Sequence, residues 1–175
     1  KRGLVMGVAN ERSIAWGIAK AMAGEGAELA FTYQGEAFGK RVAPLAESVG
    51  ADILVDADVT DDASLDSAFA QIKERWGTMD FLVHAIAYSD KNELGGRFIN
   101  TSRENYRNSL TISCYSWIDV ARRAAPLMRD GGTILTLTYQ GSNRVKPYYN
   151  VMGVAKAALE STVRYLANDL GQDGI

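Results

Sequence analysis

Short apolar runs alternate along the chain with stretches whose apolar residues recur at helical period. Gly3–Ala9 (GLVMGVA), Glu28–Tyr33 (ELAFTY), Asp52–Val55, Phe81–Ala87 (FLVHAIA) and Thr133–Tyr139 (TILTLTY) have strand length and are rich in β-branched, aromatic or Leu residues. They read as continuous rather than alternating, the pattern of strands covered on both faces of a parallel sheet. Between them, Leu65, Phe69, Ile72 and Trp76 fall at helical spacing. So do Tyr106, Leu110, Trp117, Ala121, Ala124 and Met128, and later Val151, Ala155, Leu159, Thr162, Leu166 and Leu170. Each set forms one apolar helix face. Thr60 with Asp61 or Asp62 marks a helix start, and Gly131-Gly132 a helix end. Strand and helix alternate five times with short connections, which predicts an α/β fold: a doubly wound parallel sheet in three α/β/α layers. With no repeat, low-complexity segment or linker, residues 1–175 read as a single domain.

Composition narrows the class. Of 175 residues 47% are hydrophobic and 23% charged, as in ordinary globular proteins. Nineteen Lys and Arg against 21 Asp and Glu give a net charge of −2, which leaves no basic footprint for nucleic acid or an anionic membrane. One cysteine, Cys114, and one histidine, His84, exclude a disulfide framework and a Cys/His metal site, so no metal is expected. No apolar run approaches the roughly 18 residues of a membrane span and no signal segment opens the chain, so the reading is cytoplasmic.

In such a sheet ligands bind beyond the carboxyl ends of the strands. The first strand-to-helix turn reads Gly7-Val8-Ala9-Asn10-Glu11-Arg12-Ser13-Ile14-Ala15-Trp16-Gly17. A tight turn at Gly7, a helix opening at Ser13 and Ile14, and a small Gly17 for packing against the sheet suit a phosphate at a helix N-terminus. Ser13 is a natural N-cap whose hydroxyl could also meet a phosphate oxygen. The plainer reading, a turn, a cap and a packing contact, stays open. The second strand ends Tyr33-Gln34-Gly35-Glu36. Gln34 can hydrogen-bond ribose hydroxyls while Glu36 would repel a 2′-phosphate, which favours NADH over NADPH. Past the third strand, Asp58 could accept from an adenine amino group and Val59 could flank the ring. The expected fold is therefore Rossmann-like.

Tyr149 and Lys156 are seven residues apart, so they stand about 20° from alignment, two turns along one helix face. Gly153 between them would leave an open groove. A neighbouring ammonium would lower the phenol pKa, and the lysine could also hold nicotinamide ribose hydroxyls.

With Tyr-x6-Lys, the Gly-x5-Ser-x3-Gly first turn, Gln at the second strand tip and a second tyrosine, Tyr139, ten residues before Tyr149, the chain resembles the short-chain dehydrogenase/reductase superfamily. Within it, the chain resembles the bacterial NADH-dependent enoyl-acyl-carrier-protein reductases over nearly its whole length. The resemblance implies hydride transfer from NADH to the β-carbon of a trans-2-enoyl thioester carried on acyl carrier protein or coenzyme A. It also implies an enolate oxygen hydrogen-bonded by Tyr149, Lys156 on the nicotinamide ribose, Tyr139 lining the acyl pocket, and Ile86 and Ala87 along the cofactor. A homotetramer follows by the same analogy. So does an expectation that the chain stops short of a sixth strand, a covering loop and helix, and a seventh strand. At the fourth strand's end, His84-Ala85-Ile86-Ala87 departs from the Ser-Ile-Gly of many enoyl reductases.

Two other functions compete. A ketone- or alcohol-directed reductase of the superfamily would need a serine about a dozen residues before the tyrosine, where Thr136, Thr138 and Tyr139 stand instead. A dinucleotide-binding module without turnover would have no need of both Tyr149 and Lys156. Elsewhere the readings are structural: His84 as a packed core residue, Cys114 as a small hydrophobe, Arg103 and Arg122-Arg123 as solvated, and Ser89–Asn100 as a mobile loop beside the cofactor.

Overall fold

The structure is a computed structural model that describes all of residues 1–175. Five strands, Arg2–Met6 (β1), Glu28–Tyr33 (β2), Ile53–Asp56 (β3), Phe81–His84 (β4) and Thr133–Thr136 (β5), form one sheet in the order β3-β2-β1-β4-β5. All neighbouring pairs are parallel. From β1 the chain steps outward to β2 and β3, then returns to the far side of β1, so the winding reverses between β1 and β4. This is the Rossmann-like, doubly wound arrangement expected from the apolar pattern.

The chain divides into two compact units. One comprises Lys1–Ala85, Val120–Thr136 and Asp173–Ile175, and holds the whole sheet; the other comprises Ile86–Asp119 and Leu137–Gln172. In the first, helices Ile14–Gly24 (α1) and Gly35–Ser48 (α2) cover one sheet face. Ala15, Trp16 and Ala19 of α1 and Val42 and Ala46 of α2 pack with Val5, Leu29, Phe31 and Val83. Alternation turns Leu4, Met6, Ala30 and Leu82, also buried, to the other face. The third helix, Asp62–Trp76 (α3), buries Leu65, Phe69 and Ile72 as the stripe predicted, and Asp61 caps it by accepting from the Ala63 N–H at 2.9 Å. Arg123 is not solvated. Its guanidinium reaches Asp66 at 2.7 Å and Asp62 at 3.1 Å, joining α3 to the end of the helix Ser116–Ala124 (α5).

Three strands are shorter than their apolar runs. β1, β4 and β5 stop at Met6, His84 and Thr136, which pair across the sheet and so end level. Gly7 then turns at φ +98°, outside extended geometry, and its Cα lies so close to the Ala85 carbonyl that a Cβ would run into the oxygen. The apolar residues beyond these ends belong to the loops. His84 is fully buried, with Nδ1 3.3 Å from the Thr136 hydroxyl, in keeping with a core role.

In the second unit, Arg103–Leu110 (α4) runs through one π turn, Thr111–Tyr115, into α5, and a long helix, Asn150–Leu170 (α6), follows the last loop. The apolar stripe misplaced the buried face of α4. Tyr106 is 42% exposed, whereas Asn105, Ser109 and Ser113 are buried. These polar groups hold the segment after β4. Asn105 Oδ1 accepts from the Asp90 N–H, Ser109 donates to Ser89, and the Ser113 hydroxyl both accepts from the Tyr88 N–H and donates to the Tyr88 carbonyl. The helix predicted to end at Gly131-Gly132 ends earlier, at Ala124, followed by the single turn Ala125–Leu127.

Gly17 also departs from expectation. It faces outward on α1, and a Cβ there would meet no atom within 4 Å, so it makes no packing contact with the sheet. Gly7 and Gly17 should therefore respond oppositely to alanine in urea unfolding. Gly7→Ala should lose on the order of 2 kcal/mol or more, from positive φ and the carbonyl clash. Gly17→Ala should gain about 0.5–1 kcal/mol as an exposed helical alanine.

Candidate active site

The first unit carries Gly7, Ser13, Ile14, Gln34, Asp58 and Val59 of the predicted nucleotide-binding residues, and the second carries Ile86, Ala87 and Lys156. Gly7 is half-buried in the turn after β1, and Ser13 occupies the N-cap of α1 with Ile14 70% exposed beside it. Ser13 is not a side-chain cap. Its Oγ accepts from the Ala9 N–H at 3.0 Å and the Asn10 N–H at 3.1 Å, bracing the loop instead of the helix. The opening N–H groups of α1 are thus left without a side-chain acceptor and point along the positive end of the helix dipole, a setting that fits an anionic phosphate.

Gln34 and Asp58, read separately from the sequence, are joined. Gln34 Nε2 donates to Asp58 Oδ2 at 2.8 Å, which leaves the Gln34 carbonyl oxygen as an acceptor. Burial pushes the Asp58 carboxyl up, but hydrogen bonds from Thr60 and Gln34 outweigh this and hold it below its ordinary range. Val59 beside it is half-buried. The nearest cations on α2 are occupied: Lys40 pairs with Glu36 at 2.6 Å, and Arg41 lies over the Phe38 ring.

The second unit brings Tyr139 and Tyr149 together and carries Lys156 on the helix that follows. Tyr149 directly precedes α6, and Lys156 lies within it. The two tyrosine rings meet edge to face with centroids 4.9 Å apart. Lys156 is 7% exposed, and its Nζ donates to the Leu137 carbonyl at 2.7 Å. Burial pushes the lysine pKa down. It pushes the Tyr149 phenol up, and Tyr139 adds to that rise. The expected depression of the phenol by the ammonium is absent: burial and Tyr139, not Lys156, act on the phenol. Tyr149 is therefore a neutral hydrogen-bond donor at physiological pH.

Gly153 does not leave an open groove. A Cβ on it would sit 2.8 Å from the Gly141 carbonyl oxygen, and a Cβ on Gly141 would press on the Tyr149 ring. Two glycines thus let the single turn Gln140–Ser142 lie directly on the start of α6, with Tyr149 against it. Farther along α6, Glu160 accepts from the Thr138 hydroxyl at 2.6 Å, and the hydroxyls of Ser142 and Thr138 hold its carboxyl below its ordinary range. Cys114 is buried with Sγ 3.5 Å from the Thr162 hydroxyl, in keeping with a packing role. In the segment after β4, Ile86 is half-buried and Ala87 exposed.

The loop Ser89–Asn100 is tied down at several points. Glu93 accepts from the Ser102 N–H at 2.8 Å and the Ser102 hydroxyl at 2.7 Å, and the Asn150 amide donates to the Glu93 and Gly95 carbonyls. Gly141, Asn150 and Glu160 escaped the sequence reading. Only an Asn next to the tyrosine, a residue type tolerant of positive φ, could have signalled the second.

The enoyl-(acyl carrier protein) reductase family model matches residues 7–175. The enoyl-[acyl-carrier-protein] reductase [NADH] 2 of Rhizobium meliloti is 63% identical over 175 residues, covering 100% of this chain and 65% of that protein. The FabI reductase of Rickettsia bellii is 57% identical, with 67% of its length covered. The chain thus spans a little under two thirds of the Rhizobium relative. The crystal structure of FabI from Candidatus Liberibacter asiaticus superposes with a TM-score of 0.99 at 56% identity, over 100% of this chain and 68% of that one. An Anaplasma phagocytophilum reductase solved in complex with NAD gives 0.97 at 56% identity, over 99% and 66%. No helix is long and apolar enough to cross a membrane. Matched by that family model across residues 7–175, the chain belongs to the enoyl-(acyl carrier protein) reductase family.

Proposed function

We propose that the protein reduces the 2,3-double bond of trans-2-enoyl thioesters, carried on acyl carrier protein or coenzyme A, with NADH as reductant. The observation that carries this reading is a neutral phenol, Tyr149, directly before the helix that holds a buried lysine, Lys156. Relatives up to 63% identical are named NADH-dependent enoyl-[acyl-carrier-protein] reductases, which supports the reading.

NADH, when bound, supplies the hydride that adds to the thioester's β-carbon. The chain's own residues do the rest. Gly7, Ser13 and Ile14 present the first-turn amides of α1 to the pyrophosphate. Gln34 offers its carbonyl oxygen to the adenosine ribose, with Asp58 and Val59 beside the adenine and Ile86 and Ala87 along the nicotinamide half. The carboxylates of Glu36, Asp56 and Asp58 disfavour a 2′-phosphate, which supports NADH over NADPH. Lys156 holds the nicotinamide ribose and adds positive potential. As charge develops on the thioester oxygen, the Tyr149 phenol donates a hydrogen bond to it, and a proton then adds at the α-carbon. Tyr139 braces the Tyr149 ring and borders the acyl chain. A cytoplasmic homotetramer completes the reading, supported by exposed Tyr115 and Tyr165 on the helical surface of the second unit.

Three outcomes test it, with crotonyl thioester as substrate and acetoacetyl thioester as a control that should not be reduced. Tyr149→Phe should lower kcat by about 100-fold with NADH affinity unchanged, since it removes a donor to developing charge; an unchanged kcat would sink the assignment. Because burial raises the phenol pKa, Tyr149 keeps its proton throughout the neutral range. The rate should stay flat from about pH 7 to 9 with no phenolate limb, whereas a limb near neutrality would contradict a neutral donor. Gly141→Val, which displaces the Tyr149 ring, should lower kcat roughly tenfold or more while NADH affinity holds.

A further inference from the structure

Tyr149 is flanked by the only two non-glycine residues with positive φ, Tyr148 at +58° and Asn150 at +23°. Strain of this kind costs on the order of 1–3 kcal/mol per residue and persists only where surrounding contacts fix it. Those contacts are specific. Asn150 Nδ2 donates to the Gly95 carbonyl at 2.9 Å and to the Glu93 carbonyl at 3.1 Å. Both partners are acceptors, so the amide orientation is set by chemistry: its two N–H groups meet two carbonyls and neither is left over. The Tyr148 ring lies on the same loop, close enough that a Cβ on Gly95 would come within 3.1 Å of it. The loop's other end is held by Glu93, whose carboxylate takes the Ser102 N–H and hydroxyl.

We infer that Asn150 is a positioning residue that couples the Ser89–Asn100 loop to the backbone twist orienting Tyr149. The loop holds Asn150 in its unusual conformation, and Asn150 fixes the peptide on which the phenol is carried. A ligand that shifts Glu93 or Gly95 therefore moves the tyrosine, and a displaced tyrosine loosens the loop. Asn150 itself takes no part in the reaction, because its amide is spent on the two carbonyls. Its catalytic meaning rests on the function proposed for Tyr149; the structural coupling does not.

The test separates tether from strain. Asn150→Gly accepts positive φ without cost but removes both hydrogen bonds. Asn150→Asp keeps the size and the tolerance of positive φ but turns a carboxylate toward two carbonyls. Two readouts need no turnover: hydrogen exchange of amides in residues 91–102, and the ring resonances of Tyr149 in protein carrying labelled tyrosine. Both variants should speed exchange in the loop and shift the Tyr149 resonances, with cooperative unfolding retained. In active enzyme, kcat should fall about tenfold or more while the Kd for NADH stays within twofold. Unchanged Tyr149 resonances in both variants, with the loop loosened, would overturn the coupling and leave Asn150 as a loop anchor. If the wild-type protein reduced no enoyl thioester, the proposed function would fail, and the resonance and exchange results would still decide the coupling.

Discussion

The second unit is organised around a cation taken out of water. An ammonium buried to 7% exposure carries a desolvation penalty of several kcal/mol unless its protons find acceptors. Lys156 meets this by donating to the Leu137 carbonyl at 2.7 Å, which pins the chain just past β5 to the second turn of α6. That anchor fixes where Thr138, Tyr139 and the following turn must lie. Thr138 is tied to α6 again through Glu160, and the turn rests on Gly153. Tyr149 then has a seat between the Gly141 backbone and the edge of the Tyr139 ring.

The same burial sets the chemistry. It drives both Lys156 and Tyr149 toward their neutral forms, the lysine pKa down and the phenol pKa up. In the reaction proposed, a phenolate would be poorly suited to a developing enolate, whereas a neutral phenol in a partly desolvated seat would be a strong donor to one. The first unit works by a different means. It has a helix start without a side-chain acceptor, because Ser13 braces the loop, and a strand tip where Gln34 is oriented by Asp58.

Much of this was legible in the sequence because hydrophobic continuity reports burial. The five strands, their parallel class and the stripe of α3 followed from it. Strand ends did not, since Gly7 through Ala9 and Ala85 through Ala87 are apolar for reasons other than pairing. The buried face of α4 was invisible for the opposite reason: Asn105, Ser109 and Ser113 are buried by hydrogen bonding, which no apolar pattern records. At the site, helical spacing put Tyr149 and Lys156 on one helix face, whereas Tyr149 directly precedes α6 and only Lys156 lies within it. It could not reveal that the lysine donates to the Leu137 carbonyl, nor that the space beside Gly153 is filled by the Gly141 backbone. Glycines were the least readable residues: Gly17 proved open, and Gly141, unremarked in the sequence, proved tight. The Ser89–Asn100 loop read as mobile from its composition, yet it is held by side chains distant in sequence.

Tyr149 stays protonated because burial, and not the lysine, governs its pKa. The most direct measurement is the ultraviolet difference spectrum of tyrosinate through an alkaline titration, wild type against Tyr149→Phe, repeated in a Lys156→Met background. The tyrosine lost in Tyr149→Phe should ionise above the ordinary tyrosine value near 10 in both backgrounds. A Tyr149 signal appearing near neutral pH, and moving upward when Lys156 is replaced, would contradict the account.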